Sequence, residues 1–199
     1  MDAVRVSALR KRLTGTGWLE AVGGFAGSLR HAVSRRGAGD LLLVGTEGYE
    51  PWHLAAHLDD EAAWSDVPRL APVLLRHRVP ARAPAHLAHG LRRLTEAGRG
   101  TTVLVVAPTA AGAPLLERVH DARRGGATVL ALDGLPGPAG LADLAHERLA
   151  VGTAEEEPFD LAQHLVGAAA GQAPGRRGPL DRLAALAGRL TAGPGLSRW

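Results

Sequence analysis

The sequence predicts an α/β fold: a three-layer α/β/α sandwich on a mostly parallel sheet of about five strands, with further helices at both termini. Three observations carry this. Thr101 to Asp133, reading TTVLVVAPTAAGAPLLERVHDARRGGATVLALD, lays out strand, turn, helix, turn and strand without interruption. Its two apolar, β-branched runs, Thr102 to Val106 and Thr128 to Leu132, have the length and unbroken hydrophobicity of parallel strands buried on both faces. Runs of this kind also alternate with helix-spaced segments along most of the chain, which points to right-handed βαβ crossovers.

The elements follow in order. Val4 to Leu13 and Trp18 to Ser34 read as helices separated by Thr14-Gly15-Thr16-Gly17. The second sets Leu19, Val22, Phe25, Leu29 and Val33 at helical spacing, a stripe expected to pack on the sheet or on a partner subunit. Asp40 to Val44 is the first clear strand, followed by the turn Gly45-Thr46-Glu47-Gly48 and a helix from Pro51 to Ala63, where proline suits the first turn. Leu70 to Arg78 reads as a strand in which Pro72 sits at the start or on an edge. Pro84 to Ala97 reads as a helix with Leu87, Leu91 and Leu94 on one side. In the central unit Leu115, Leu116, Val119 and Ala122 form the apolar helix face, and Gly125-Gly126 stops the helix. The turn-rich stretch Gly134 to Pro138 comes next, then a short helix from Leu141 to His146, a strand from Arg148 to Val151 and a helix from Pro158 to Ala170. Gln172 to Gly178 reads as a linker, and Leu180, Leu183, Leu186 and Leu190 mark a last amphipathic helix. The expected organisation is therefore N-terminal helices over 1–37, an α/β domain over 38–171, and a linker and helix over 172–199.

Composition narrows the function classes. The 199 residues are 46% hydrophobic and 22% charged, enough for one sizeable core. The pI near 10.4 suggests nucleic acid, yet the formal net charge is only +3. Lys11 is the only lysine, so little titrates between the carboxylates and arginine, and a small basic excess drives the pI up. The arginine pairs Arg35-Arg36, Arg92-Arg93, Arg123-Arg124 and Arg176-Arg177 are scattered at helix and linker ends rather than gathered in a stripe, which argues against a nucleic-acid footprint. The lack of cysteine excludes disulfides, thiolate metal sites and a cysteine nucleophile. No segment has the roughly 20 apolar residues of a membrane span and the N-terminus has no signal-like apolar core, so a cytoplasmic location is expected.

In open α/β sheets ligands bind beyond the carboxyl ends of the strands, so the loop Ala107 to Gly112 is where chemistry is expected. It is nearly bare, with one hydroxyl, Thr109, and no charge. Glu47, in the first glycine turn, would repel a phosphate and suits a sugar hydroxyl, a cation or no ligand. His53 and His57 share a helix face with Glu50 a turn earlier, but without the internal Glu of a zinc-protease helix the pair reads as helix-lining or substrate-facing. No metal or other cofactor is expected. His86 and His89 read as surface, and Asp160 with His164 as an i, i+4 pair. Glu155-Glu156-Glu157 reads as the charged first turn of the next helix, and the scattered Trp18, Trp52, Trp64 and Trp199 suit an interface as well as a pocket.

The order of elements, and Ala122-Arg123-Arg124-Gly125-Gly126-Ala127-Thr128-Val129 in particular, resembles the sugar isomerase (SIS) domain, in which Ala-(basic)-x-Gly-Ala precedes a strand. His53-Leu54-Ala55-Ala56-His57-Leu58 after Gly45 and Gly48, with Gln163-His164 on a late helix, is similar to the sedoheptulose-phosphate isomerase subgroup. The resemblance covers about Asp40 to Gly171. It implies a phosphosugar-binding α/β fold, sites built between the subunits of a homo-oligomer, and a ligand-binding set of Gly45, Thr46, Glu47, Gly48, Thr109, Ala110, Ala111 and Gly112. It also implies His57, in place of the subgroup's proton-shuttling Glu, and His164 as catalytic candidates. The family's phosphate loop reads Ser-x-Ser-Gly-x-Thr, whereas here Ala107, Thr109 and Gly112 take the hydroxyl positions. The expected function is therefore non-catalytic recognition of a phosphorylated sugar or a protein partner; the alternatives are an aldose–ketose isomerase and a purely structural interaction module.

Overall fold

The computed structural model describes residues 17–134, 140–151 and 157–171. Helix α1 (Trp18–Ser34) leads into β1 (Leu41–Val44), α2 (Trp52–Trp64), a 3-10 turn (Pro68–Leu70) and β2 (Pro72–Leu75). A second 3-10 turn (Ala85–Leu87), the single-turn α3 (Arg92–Thr95), β3 (Thr102–Ala107), α4 (Ala113–Arg124) and β4 (Thr128–Asp133) follow. The chain continues through α5 (Leu141–Leu144), β5 (Glu147–Ala150) and α6 (Glu157–Ala170). The helices expected at Val4 to Leu13 and Leu180 to Leu190, the Gln172 to Gly178 linker and Glu155-Glu156 lie outside the described residues.

The five strands pair in the order β2-β1-β3-β4-β5, every neighbouring pair parallel. The α/β/α expectation holds because the strands are apolar on both faces. Leu41, Leu43, Leu104, Val106, Leu130 and Leu132 pack under α1, α2 and α6. Leu42, Val44, Val103, Val105, Val129 and Ala131 pack under Leu94 of α3, Leu141 of α5, and Leu115, Val119 and Ala122 of α4. From β1 the chain winds one way to β2 and the other way through β3, β4 and β5. Right-handed crossovers therefore place α2 and α4 on opposite faces. Pro72 opens β2, the edge strand, where a missing N–H costs least.

One expectation changes. Pro84 to Ala97 is not one helix, because the Arg76 amide donates to the His89 carbonyl at 2.9 Å and Arg76 bridges Gly90, pinning the segment to the exit of β2. Of the two placements expected for the α1 stripe, the chain's own sheet is the one found, since Val22, Phe25, Leu29 and Val33 are buried within its core. Several of the paired arginines make specific contacts. Arg35 donates to Thr128 Oγ1, Arg93 pairs with Asp40 at 3.0 Å, and Arg123 donates to the Asp143 carbonyl.

Candidate functional site

The strand order reverses between β1 and β3, which makes the crevice over their carboxyl ends the place where an open sheet takes a ligand. The β1 loop is tightly folded there. A β-carbon on Gly45 would lie 1.8 Å from the Tyr49 carbonyl oxygen, so only glycine allows the chain to double back. Thr46 bridges Tyr49 and is buried, its hydroxyl without a hydrogen-bond partner among the described residues. Glu47 and Gly48 are exposed. Across the crevice, Thr109, Ala110 and Gly112 are exposed and Ala111 is half-buried, the loop opening into α4 on the other face of the sheet.

The three residues leaving β2 lie along the β1 loop. Arg76 Nε donates to both Glu50 carboxylate oxygens at 3.0 and 3.1 Å, His77 Nε2 sits 3.0 Å from the Gly45 carbonyl oxygen, and Arg78 pairs with Glu47 at 3.2 Å. The Trp52 indole N–H donates to Glu50 Oε2 at 2.8 Å, and the Arg76 guanidinium stacks 5.3 Å from the Trp52 ring. Glu50 thus serves Arg76 and Trp52, not the histidines with which its helical spacing aligned it. On the far side of β3, Asp133 ends β4 and is held by Arg148 Nε at 2.8 and 3.1 Å.

His57 and His164, 107 positions apart in sequence, meet in the helix layer. His53 Nε2 lies 2.6 Å from His164 Nε2 and 3.2 Å from His57 Nε2. The His57 and His164 ring centroids are 4.1 Å apart. Helices α2 and α6 pack this closely because a β-carbon on Gly167 would already stand 3.1 Å from His57 Cβ. Leu54 and Leu58 turn inward to the sheet, leaving the imidazoles toward the outer side of the layer. Burial, and then the neighbouring His57 and His53, pull His164 from an ordinary 6.5 to about 4, against a smaller opposing effect of Asp160. Burial and His53 lower His57 as well, with Asp60 opposing. Both imidazoles are therefore neutral at pH 7. Asp160 accepts a hydrogen bond from fully buried Gln163 at 3.1 Å, and Gln163 also bonds the Tyr49 hydroxyl, which ties α6 back to the β1 loop.

Three imidazoles whose ligand nitrogens lie within 4.8 Å of one another form a donor set suited to a divalent transition metal. The i, i+4 pair on α2 was visible in the sequence. Its third member was not, since nothing local places α6 beside α2. Arg76 was missed as well, although Arg76-His77-Arg78 at a strand exit is a cationic run at the end of the sheet where ligands bind.

No family model matches the sequence, and no curated protein sequence does. Solved structures do match. A candidate sugar-binding protein from Salmonella typhimurium LT2 superposes with a TM-score of 0.56 at 17% identity, over 92% of this chain and 52% of its own. The fold is that of the sugar isomerase domain. A candidate phosphosugar isomerase from Silicibacter pomeroyi DSS-3 shares it at TM-score 0.53 and 18% identity, over 90% of this chain and 50% of its own. So does the NanR protein of Vibrio vulnificus, solved with ManNAc-6P, at TM-score 0.51 and 14% identity, over 97% of this chain and 77% of its own. The chain spans about half the length of the first two structures. Within the SIS fold the β1 and β3 loops and the β2 exit line one end of the sheet. No helix among the described residues is long and apolar enough to cross a membrane.

Proposed function

We propose that this chain is a binding or regulatory module for a phosphorylated sugar, acting as a cytoplasmic homo-oligomer without isomerase turnover. Its site is the crevice formed by Gly45, Thr46, Glu47 and Gly48 on one side and Thr109, Ala110, Ala111 and Gly112 on the other. The observation that carries this reading is the β3–α4 loop, which stands where an SIS fold would hold its ligand yet offers one hydroxyl, Thr109, and otherwise only backbone amides. Moving a proton between adjacent sugar carbons requires the substrate to be held in register with the base, and loss of positioning costs orders of magnitude in rate. Sugar phosphates at a hundredfold excess over Kd should stabilise the fold by about 2.7 kcal/mol, read as a rise in melting temperature, with no aldose–ketose interconversion detectable by NMR. A protein that shows no thermal shift with any sugar phosphate would refute binding, and turnover abolished by His57→Ala or His164→Ala would refute the non-catalytic half.

The imidazole cluster favours a second reading, an aldose–ketose isomerase. His57 and His164, neutral and adjacent, would accept and return the proton, while Thr46, Thr109 and backbone amides hold the phosphate. His53, His57 and His164 would hold a divalent transition metal, and such a metal would supply Lewis-acid polarisation of a sugar oxygen. The turnover assay, run with and without added Zn²⁺, separates the two readings.

A further inference from the structure

The β3–α4 loop leaves the anion of a phosphorylated ligand without a cationic grip, and the chain provides one elsewhere at the same end of the sheet. Leu75 pairs in register with Val44, so Arg76 stands level with Gly45, one strand spacing of about 4.8 Å from the β1 loop and two spacings from the β3 loop. Strand alternation puts its side chain on the side of Leu74, under α2, where it lies over the Trp52 ring.

Two neighbours hold the guanidinium while leaving half of it unused. Nε is committed to both oxygens of Glu50, and Glu50 is itself held by the Trp52 indole N–H, so each of the three residues touches the other two. The two Nη groups make no hydrogen bond among the described residues. The side chain is 21% exposed, which is ordered by its neighbours yet open to solvent. A planar fork braced from behind by a carboxylate and a ring presents a bidentate donor edge that matches phosphate. The other cations nearby are spent or loose. Arg148 is committed to the nearly buried Asp133, and Arg78 is 89% exposed with only Glu47 beside it. The first turn of α2, uncapped by any side chain, begins at Trp52 and adds a positive helix end on the same side.

We propose that Arg76 grips the anionic group of the ligand through its Nη edge, with Glu50 and Trp52 as the residues that position it. This rests on the reading of the crevice as a phosphorylated-sugar site, and it puts the phosphate on the β2 side of the mouth, leaving the sugar toward the β3 loop. Trp52 then serves as a built-in fluorescence reporter as well.

The test is calorimetric titration of the full chain with N-acetylmannosamine 6-phosphate, fructose 6-phosphate and inorganic phosphate, with far-UV circular dichroism and melting temperature recorded for every variant. The expected result is binding by the parent chain, a loss of about a hundredfold in affinity for Arg76→Gln, and about tenfold for Arg76→Lys, which keeps the charge but not the fork. Arg92→Gln, on α3, serves as a charge control that retains parent affinity. If Arg76→Gln does not fold, the Lys variant decides. Equal affinity in the parent and the folded Arg76 variant overturns this proposal while leaving the sugar-phosphate reading in place. Equal affinity of the parent for fructose and fructose 6-phosphate also overturns it, and no binding of any probe by the parent chain overturns both.

Discussion

His164 lies between two other imidazoles and a carboxylate, and its response to pH follows from that placement. The folded chain holds it near 4, while the unfolded chain titrates it near the ordinary 6.5. As pH falls through that window the unfolded state takes up its proton first, so stability present above about pH 6.5 is lost progressively toward pH 4. The lowered His57 acts in the same direction. Asp59, raised by burial and by Asp60, acts in the opposite one. Comparison with His164→Ala cancels the carboxylate's part: in EDTA, the melting temperature of the parent should fall more steeply from pH 6.5 to 4 than that of the variant. Parallel curves would mean that the folded His164 titrates normally. At this scale the sequence was half legible. The residue types and the α2 spacing of His53 and His57 were plain, whereas the partner choice of Glu50 and the third imidazole depended on contacts across 26 and 111 positions.

Among the elements, α6 is seated through a close glycine contact. It lies against both α1 and α2, and Gly167 lets it approach His57 closely, while Arg30 fixes its end by donating to the Ala170 carbonyl at 3.0 Å. A leucine at 167 has no space, and overpacking of this kind costs typically 1–3 kcal/mol. Gly167→Leu should therefore lower the urea midpoint by a corresponding amount and also separate His164 from His53 and His57, abolishing any Co²⁺ absorption band of the parent. An unchanged midpoint with an intact band would show that α2 and α6 are not packed through this glycine. The strands were the most legible elements, because Leu41 to Val44, Thr102 to Ala107 and Thr128 to Asp133 are apolar on both faces and leave no other period to read. Pro84 to Ala97 misled because its leucine spacing is genuinely helical. The hydrogen bond from Arg76 to His89 that breaks it belongs to the tertiary structure.

For the molecule as a whole, the question that follows from its surface is whether one copy is complete. The three-layer sandwich covers its own sheet, and the α1 stripe that would have called for a partner is buried under the chain's own α6. The large hydrophobic side chains that remain exposed among the described residues lie elsewhere: Trp64 at 77%, Trp52 at 41% and Val79 at 38%. Two of these bracket α2, and two of the three clustered imidazoles, His53 and His57, lie on the same helix with His53 exposed. An indole left three-quarters in water on a rigid helix forgoes a large apolar burial, and scattered surface apolar groups need no explanation only when they stand singly. Self-association through the outer face of α2 is the expected outcome, and it would place a second copy beside His53 and Trp52. Sedimentation velocity at micromolar concentration should show an oligomer, which Trp64→Glu shifts toward monomer without changing the melting temperature of the isolated fold by more than a few degrees. A parent chain that sediments as a monomer at that concentration would refute it, leaving the imidazole cluster open to solvent on a single subunit.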